Sequence, residues 1–404
     1  MKNKLSITSW ALYDLANQFF ALNIISHYFP RWLSIERALP EVLYSVSFAI
    51  SMFLVAIIAP VLGTIADIEK NHKKFLIYLT ILSVIFTFLL GVFDNIVLIL
   101  IIFIIANFGC QSAVVFYNAL LGRIAPRNHL GFVSGLGRMF SYVGAILALY
   151  LVKPFVSKAG YQSTFIPTAL LFLFFSLPAM IFIKEKPVEK SAAISTKKIS
   201  EIFKRLRLTL KECCNNQGMC NFLIATFFAL CAVNAIILFM SVYAAKVFGI
   251  TQEAEIIKLI SVSTIFAILG SFVSGFLSDI LGYRKSMVAV FVLWLLSFIL
   301  AGLLKPPFHW LVGSLAGFSL GAIWVVSRAL VIKLIPEEKL GEVFGIFNFV
   351  VYFSAIIGPV WWGGILLLTS KMGEASYRLA VLSLAFFMVI ALRFILKVPK
   401  EIKW

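Results

Sequence analysis

The sequence predicts an all-α integral membrane protein whose twelve transmembrane helices form two six-helix repeats. Three observations carry that prediction: 61% of the 404 residues are hydrophobic and only 13% charged, the apolar residues fall in long unbroken runs, and part of the first half recurs in the second. A soluble domain is roughly 45–50% apolar and 25% charged, and a chain this poor in polar residues cannot clothe a soluble surface. Runs of about 20 residues or more suit helices, which satisfy their own backbone hydrogen bonds in lipid. They are too long, and lack the alternation, for the strands of a barrel.

The first run, 6–33, opens on SWALYDLANQFF and carries Asp14, Asn17 and Gln18. It lacks the short apolar core and small-residue cleavage site of a signal peptide, so it is expected to remain in the protein. The next five runs, 42–67, 75–93, 95–122, 129–152 and 161–183, are separated by short polar or Gly/Pro-bearing breaks. The one long hydrophilic segment, 184–216, then holds IFKRLRLTLK, where Ile202, Leu206 and Leu210 recur at a helical step against a basic face. Such a helix suits the surface of an anionic leaflet. Six further runs follow at 217–246, 255–281, 284–303, 308–334, 341–370 and 375–397. The domain plan is therefore a bundle over 1–183, a basic linker over 184–216 and a second bundle over 217–404.

The net charge of +17 follows the positive-inside rule. With a cytoplasmic N-terminus, most of the 35 Lys and Arg residues fall in cytoplasmic tails and loops, nine of them between Lys184 and Lys211, and only nine fall on the opposite side. This places both termini in the cytoplasm and needs no nucleic acid as a partner. Cys110, Cys213, Cys214, Cys220 and Cys231 sit in spans or in the linker and form no disulfide framework.

The repeat is explicit. GTIAD, Gly63 to Asp67, and GFLSD, Gly275 to Asp279, stand 212 residues apart; residues 118–146 match 328–356 at ten of 29 positions, including Pro126/Pro336, Gly131/Gly341, Gly135/Gly345 and Tyr142/Tyr352. Glycine lets two helices approach closely, and a carboxylate at a helix end can pair with an Arg or Lys of the adjoining loop. Gly63, Asp67, Gly275, Asp279, Arg284 and Lys285 are accordingly candidate gating residues.

Twelve spans in a 6+6 repeat, with GFLSDILGYRK closing the eighth span, resemble the major facilitator transporters. The first copy, GTIADIEKNHKK, has Lys70 where that superfamily's signature has Gly. SWALYDLANQFF with Tyr28 to Pro30, Tyr117 to Leu121 with Val133 to Gly137, and Ser327 to Leu330 with Leu334 to Pro336 and Glu342 to Gly345 are similar to the autophagy-related vacuolar amino-acid effluxer family and its bacterial relatives. The chain departs from that family's usual residues at Leu15, Gln18, Arg138 and Trp324. The resemblance implies a transporter, with spans 1, 4, 7 and 10 lining a central cavity and spans 5 and 11 beside them.

Three charges lie well inside spans: Asp14, Arg138 and Arg328. At about 1.5 Å per residue each is roughly 12–13 Å from a span end. A charge at such depth costs about 2.5–3.5 kcal/mol on insertion scales and marks a functional site by default. The repeat sets Arg328 over Asn118 and Arg138 over Asn348, so Asp14, Asn17, Asn118, Arg138, Arg328 and Asn348 are expected to ring one site. Arg328 is assigned an anionic substrate group. Asp14 has two candidate roles, a strut paired with Arg138 or the protonatable coupling group. Gln18 and Asn234 suit a polar cargo, and Tyr13, Tyr117, Tyr142, Tyr352 and Trp324 are candidate walls. His27, beside Tyr28 at the end of span 1, suits the membrane interface.

No nucleotide-binding loop and no metal spacing occurs, and GFVSGLG opens a spanning helix without the strand that a nucleophile elbow needs. The expectation is no enzyme, no cofactor and no metal. The sequence reads as a monomeric secondary transporter of a small polar or anionic metabolite, an amino acid or related carboxylate, in a bacterial inner membrane, with lipids and protons as further partners. An exporter of amphipathic compounds and a non-transporting receptor or scaffold are the alternatives.

Overall fold

A computed structural model describes residues 2–39, 41–185, 199–250 and 252–399. Helices supply the regular structure of these residues. The chain begins with α1 (Lys2–Phe20), passes through a π-helical stretch (Ala21–His27), α2 (Tyr28–Arg31) and a second π-helical stretch (Trp32–Glu36), and continues as α3 (Glu41–Glu69), α4 (His72–Leu90), α5 (Ile96–Ile124), α6 (Leu130–Ala159) and α7 (Phe165–Phe182). Then come α8 (Ile199–Asn215), α9 (Gln217–Phe248), α10 (Glu253–Leu281), α11 (Tyr283–Leu303), α12 (His309–Lys333), α13 (Leu340–Leu368) and α14 (Glu374–Ile395).

Among the described residues, eleven helices are long and apolar enough to cross a membrane. The expected first span is not one of the eleven. Its apolar residues are divided between α1, which carries Lys4, Asp14, Asn17 and Gln18, and the π turns that follow. Of the hydrophilic linker, residues 186–198 lie outside the described residues, and α8 covers the KRLRLTLK stretch.

Local chemistry fixes several helix starts. The side chains of Asn71, Asn95 and Asn216 accept from the N–H groups of Lys74, Leu98 and Met219, capping α4, α5 and α9. Large apolar side chains such as Phe174, at 64% exposure, remain on the outside. That is the pattern expected where hydrocarbon rather than water is the solvent.

The chain forms two compact units, Met1–Thr209 with Pro336–Ile346, and Leu210–Ile335 with Phe347–Trp404. In the first unit α1 packs on α6 and α7, while α5 packs on α3 and α4. Its core is aromatic: Phe29 stacks on Phe103 with centroids 4.6 Å apart and meets Phe165 edge-on. Asn23, inside the π turn, donates to the Ala148 carbonyl and to Thr168 Oγ1, so α6 and α7 hold that turn in place.

In the second unit α10 lies along α12, α9 along α14, and α11 against both α12 and α14. The α10–α12 contact is close because α12 presents glycine. A Cβ on Gly317 would stand 2.1 Å from the Ser263 carbonyl oxygen, and one on Gly321 would stand 2.0 Å from that of Ala267.

Candidate functional site

In the first unit, α1 presents Asp14, Asn17 and Gln18 within one turn and a half. Asp14 is buried at 4% exposure, which in an apolar setting demands compensation from polar neighbours. Gln18 Nε2 donates to Ser141 Oγ at 2.7 Å, and Arg138 Nη1 approaches the same hydroxyl at 3.4 Å. Ser141 thus brings Gln18 and Arg138 together across α1 and α6. Asn17 turns to α5 instead, where its Oδ1 accepts from the Cys110 thiol.

Asn118, also on α5, is buried. Beside it is an aromatic stack, Trp10 on Tyr117 at 4.3 Å and Tyr13 on Tyr117 at 5.4 Å. Trp10 Nε1 donates to the Tyr117 carbonyl, and Tyr13 shares a 2.6 Å hydrogen bond with Thr80. Gly137 makes room for the stack, since a Cβ there would lie 2.4 Å from the Trp10 ring.

In the second unit α12 carries Trp324 and Arg328. Arg328 is buried at 2% exposure, and its Nε donates to the Trp324 carbonyl at 3.3 Å. Asn348 on α13 is buried as well, and Tyr352 lies one turn further along that helix, half-buried. Asn234 on α9 donates to Ser354 on α13.

The two motif copies differ in what they hold. In the first unit Asp67 ends α3 buried, at 4% exposure. Its Oδ1 accepts from the Gly341 N–H at 3.0 Å and its Oδ2 from the Glu342 N–H at 2.8 Å. These are main-chain groups of the first turn of α13, where a helix leaves its N–H groups open and favours negative charge. Gly63 permits the approach, because a Cβ would stand 2.3 Å from the Gly341 carbonyl oxygen. The basic residue that meets Asp67 is not an Arg or Lys of the loop but His72 at the start of α4, whose Nε2 lies 2.7 Å from Asp67 Oδ1. In the second unit Asp279 accepts from the Tyr283 hydroxyl, Arg284 donates to the Leu396 carbonyl at 2.6 Å, and Lys285 is exposed. Lys70 and Gly282 both adopt positive φ, +55° and +89°. A residue of positive φ therefore follows both aspartates three positions on, and only the second copy fills that position with glycine, the residue it favours.

Sequence reasoning passed over three members of the Asp67 cluster. His72 Nδ1 faces Glu185 Oε1 at 3.3 Å, and Arg123 Nε lies 3.7 Å from the same oxygen. Burial would raise the Glu185 carboxyl, but His72, the Lys73 N–H at 3.0 Å and Arg123 outweigh it and hold the group below its ordinary value. Glu342 was read only as part of a motif, yet its fully buried side chain accepts from the Thr209 hydroxyl of α8. The signal for His72 was present in the repeat, since 212 residues separate it from Arg284.

The sequence profile of the Major Facilitator Superfamily matches residues 15–260 and 223–404. The MFS-type transporter YxiO of Bacillus subtilis is 27% identical over 415 residues, covering 97% of this chain and 94% of its own. The multidrug resistance protein MdtG of a Rahnella species is 26% identical over 307 residues, covering 74% and 70%. In fold, the human organic anion transporter MFSD10 is similar with a TM-score of 0.77 at 12% identity, over 97% of this chain and 99% of that one.

Proposed function

This chain belongs to the Major Facilitator Superfamily, and we propose that, as a multi-pass membrane transporter rather than an enzyme, it moves a small polar or anionic metabolite by alternating access. The cargo is an amino acid or a related carboxylate. The observation that carries this reading is Arg328, a guanidinium at 2% exposure in the middle of an apolar helix. A permanent cation is retained at that depth where it serves a ligand or an ion pathway, and its planar fork matches a carboxylate. The amides of Asn118, Asn348, Asn17 and Gln18 supply donors and acceptors for the rest of a polar cargo. The similarity to amino-acid effluxers at residues 9–20, 117–121 and 327–345 points the same way.

The proposal includes twelve spans, with 1–183, 184–216 and 217–404 as bundle, linker and bundle, both termini in the cytoplasm, and a bacterial inner membrane as location. A thermal-shift screen of amino acids and carboxylates on wild type beside Arg328→Ala tests it. The expected result is a ligand that raises the melting temperature of wild type and not of the variant; a carboxylate that stabilises both equally sinks the Arg328-anchored site. The second reading, export of amphipathic compounds, draws on the Trp10, Tyr117 and Tyr13 stack and on the likeness to MdtG. In the same screen, stabilisation by hydrophobic cations and by no carboxylate selects it.

A further inference from the structure

We propose that His72 is a proton-binding site that fastens α3 to the first turn of α13. As an imidazolium it bridges Asp67 and Glu185 and keeps Asp67 on the Gly341 and Glu342 N–H groups. This inference stands apart from the identity of the cargo.

The argument is one of donors and charge. His72 is fully buried, with Nε2 2.7 Å from one carboxylate oxygen and Nδ1 3.3 Å from another. A neutral imidazole has one N–H and one lone pair, so in this position it would turn a lone pair on a carboxylate. Only the imidazolium offers a proton to both. The charges of the groups on the ring agree: Asp67 and Glu185 bring two negative charges and Arg123 one positive, so these four balance when His72 is charged, while the buried Glu342 carboxylate, outside this count, meets Thr209. When His72 is neutral, a buried negative charge remains uncompensated, which low-dielectric surroundings penalise.

The groups facing the ring come from each neighbouring element. From α3 there is the Asp67 carboxylate; from α5, Arg123; from the segment after α7, Glu185 with exposed Lys184 beside it; from α13, the Gly341 and Glu342 N–H groups, with the Glu342 carboxylate turned to Thr209. On its own helix, Lys73 gives its N–H to Glu185 and its Nζ to the Ile181 carbonyl, while Lys74 pairs with Glu69. Glu185 and Arg123 each keep 9% side-chain exposure.

The second motif copy supplies an internal comparison. At the position 212 residues on, Arg284 carries a charge that does not titrate. The position takes a basic residue in both copies, and histidine is the one of the two that can exchange its proton.

Amide hydrogen exchange of the full-length protein in detergent micelles, from about pH 5 to about pH 10 and corrected for intrinsic rate with an unstructured peptide, reads the contact at Gly341 and Glu342. The expected wild-type result is protection that falls by up to about tenfold per pH unit once His72 loses its proton. His72→Arg should hold protection high across the range, and His72→Asn should lower it at every pH. Corrected wild-type protection that does not change with pH overturns the proposal, as does a His72→Arg protein with the wild-type pH profile. Because His72→Arg retains the cation, it decides the question even if His72→Asn does not fold.

Discussion

Asp67→Asn is the sharpest single perturbation of the α3–α13 contact, since it preserves shape and removes charge. The carboxylate serves three groups, with Oδ1 accepting from Gly341 N–H and facing His72 Nε2, and Oδ2 accepting from Glu342 N–H. An asparagine keeps one oxygen and replaces the other with an amide nitrogen. Whichever way it is turned, a donor then meets a donor. The less costly arrangement keeps the oxygen toward Gly341 and His72 and leaves the Glu342 N–H without its acceptor, at about 1–3 kcal/mol for a buried group. Loss of the negative charge at the helix start removes roughly 0.3–1 kcal/mol more. The sum, about 1.3–4 kcal/mol, corresponds to a roughly ten- to thousand-fold rise in the opening equilibrium. Amide exchange at Gly341 and Glu342 at neutral pH should report that factor, while the amides of α5 remain as protected as in wild type. Protection at the two amides within about threefold of wild type, in a variant that still melts cooperatively, would refute the assignment of Asp67 as the group that holds α13.

Two further changes test the packing and the cluster charge. Gly317→Val places carbon where the Ser263 carbonyl oxygen already stands 2.1 Å from an ideal Cβ, and α10 and α12 must separate; a loss of about 1–3 kcal/mol or more is expected in detergent-titration unfolding. Glu185, whose carboxyl is held below its ordinary value, contributes stability that is fully present above its unfolded value and is lost as pH falls through the lower native one. Wild type should therefore lose melting temperature on acidification below about pH 4, and Glu185→Gln should show a flatter acid limb.

The apolar helices were the most legible feature of the sequence, because a bilayer imposes a length and a polarity that single residues can report. Span 1 was less so. Its residues 21–27 and 32–36 wind as π turns, and Asn23 in the first of these is held by Ala148 and Thr168, more than 120 positions away. No local pattern announces a turn that tertiary partners impose. The same limit applies at the site. The depth of Asp14 in an apolar run could be counted, whereas Ser141, which joins Gln18 to Arg138, is an unremarked serine until α1 and α6 are placed together. The Thr209–Glu342 contact joins residues 133 apart and left no trace in either segment.

The repeat was legible as sequence and still misleading as chemistry. Both copies adopt positive φ three residues after the aspartate, at Lys70 and Gly282, and both bring a basic residue two positions later, at His72 and Arg284. From that shared frame the side chains diverge. Arg284 reaches the Leu396 carbonyl, and Asp279 accepts from Tyr283 one turn along. His72 and Asp67 instead join a buried cluster that grips the start of α13. Gly341 accommodates this, since a Cβ there would lie 2.7 Å from the Gly63 carbonyl oxygen and 3.0 Å from His72 Nε2. A duplicated motif thus specifies the backbone turn, and the partner that each copy captures decides its charge balance. The first copy ends in a histidine and the second in an arginine, so the same position carries two different acid–base chemistries.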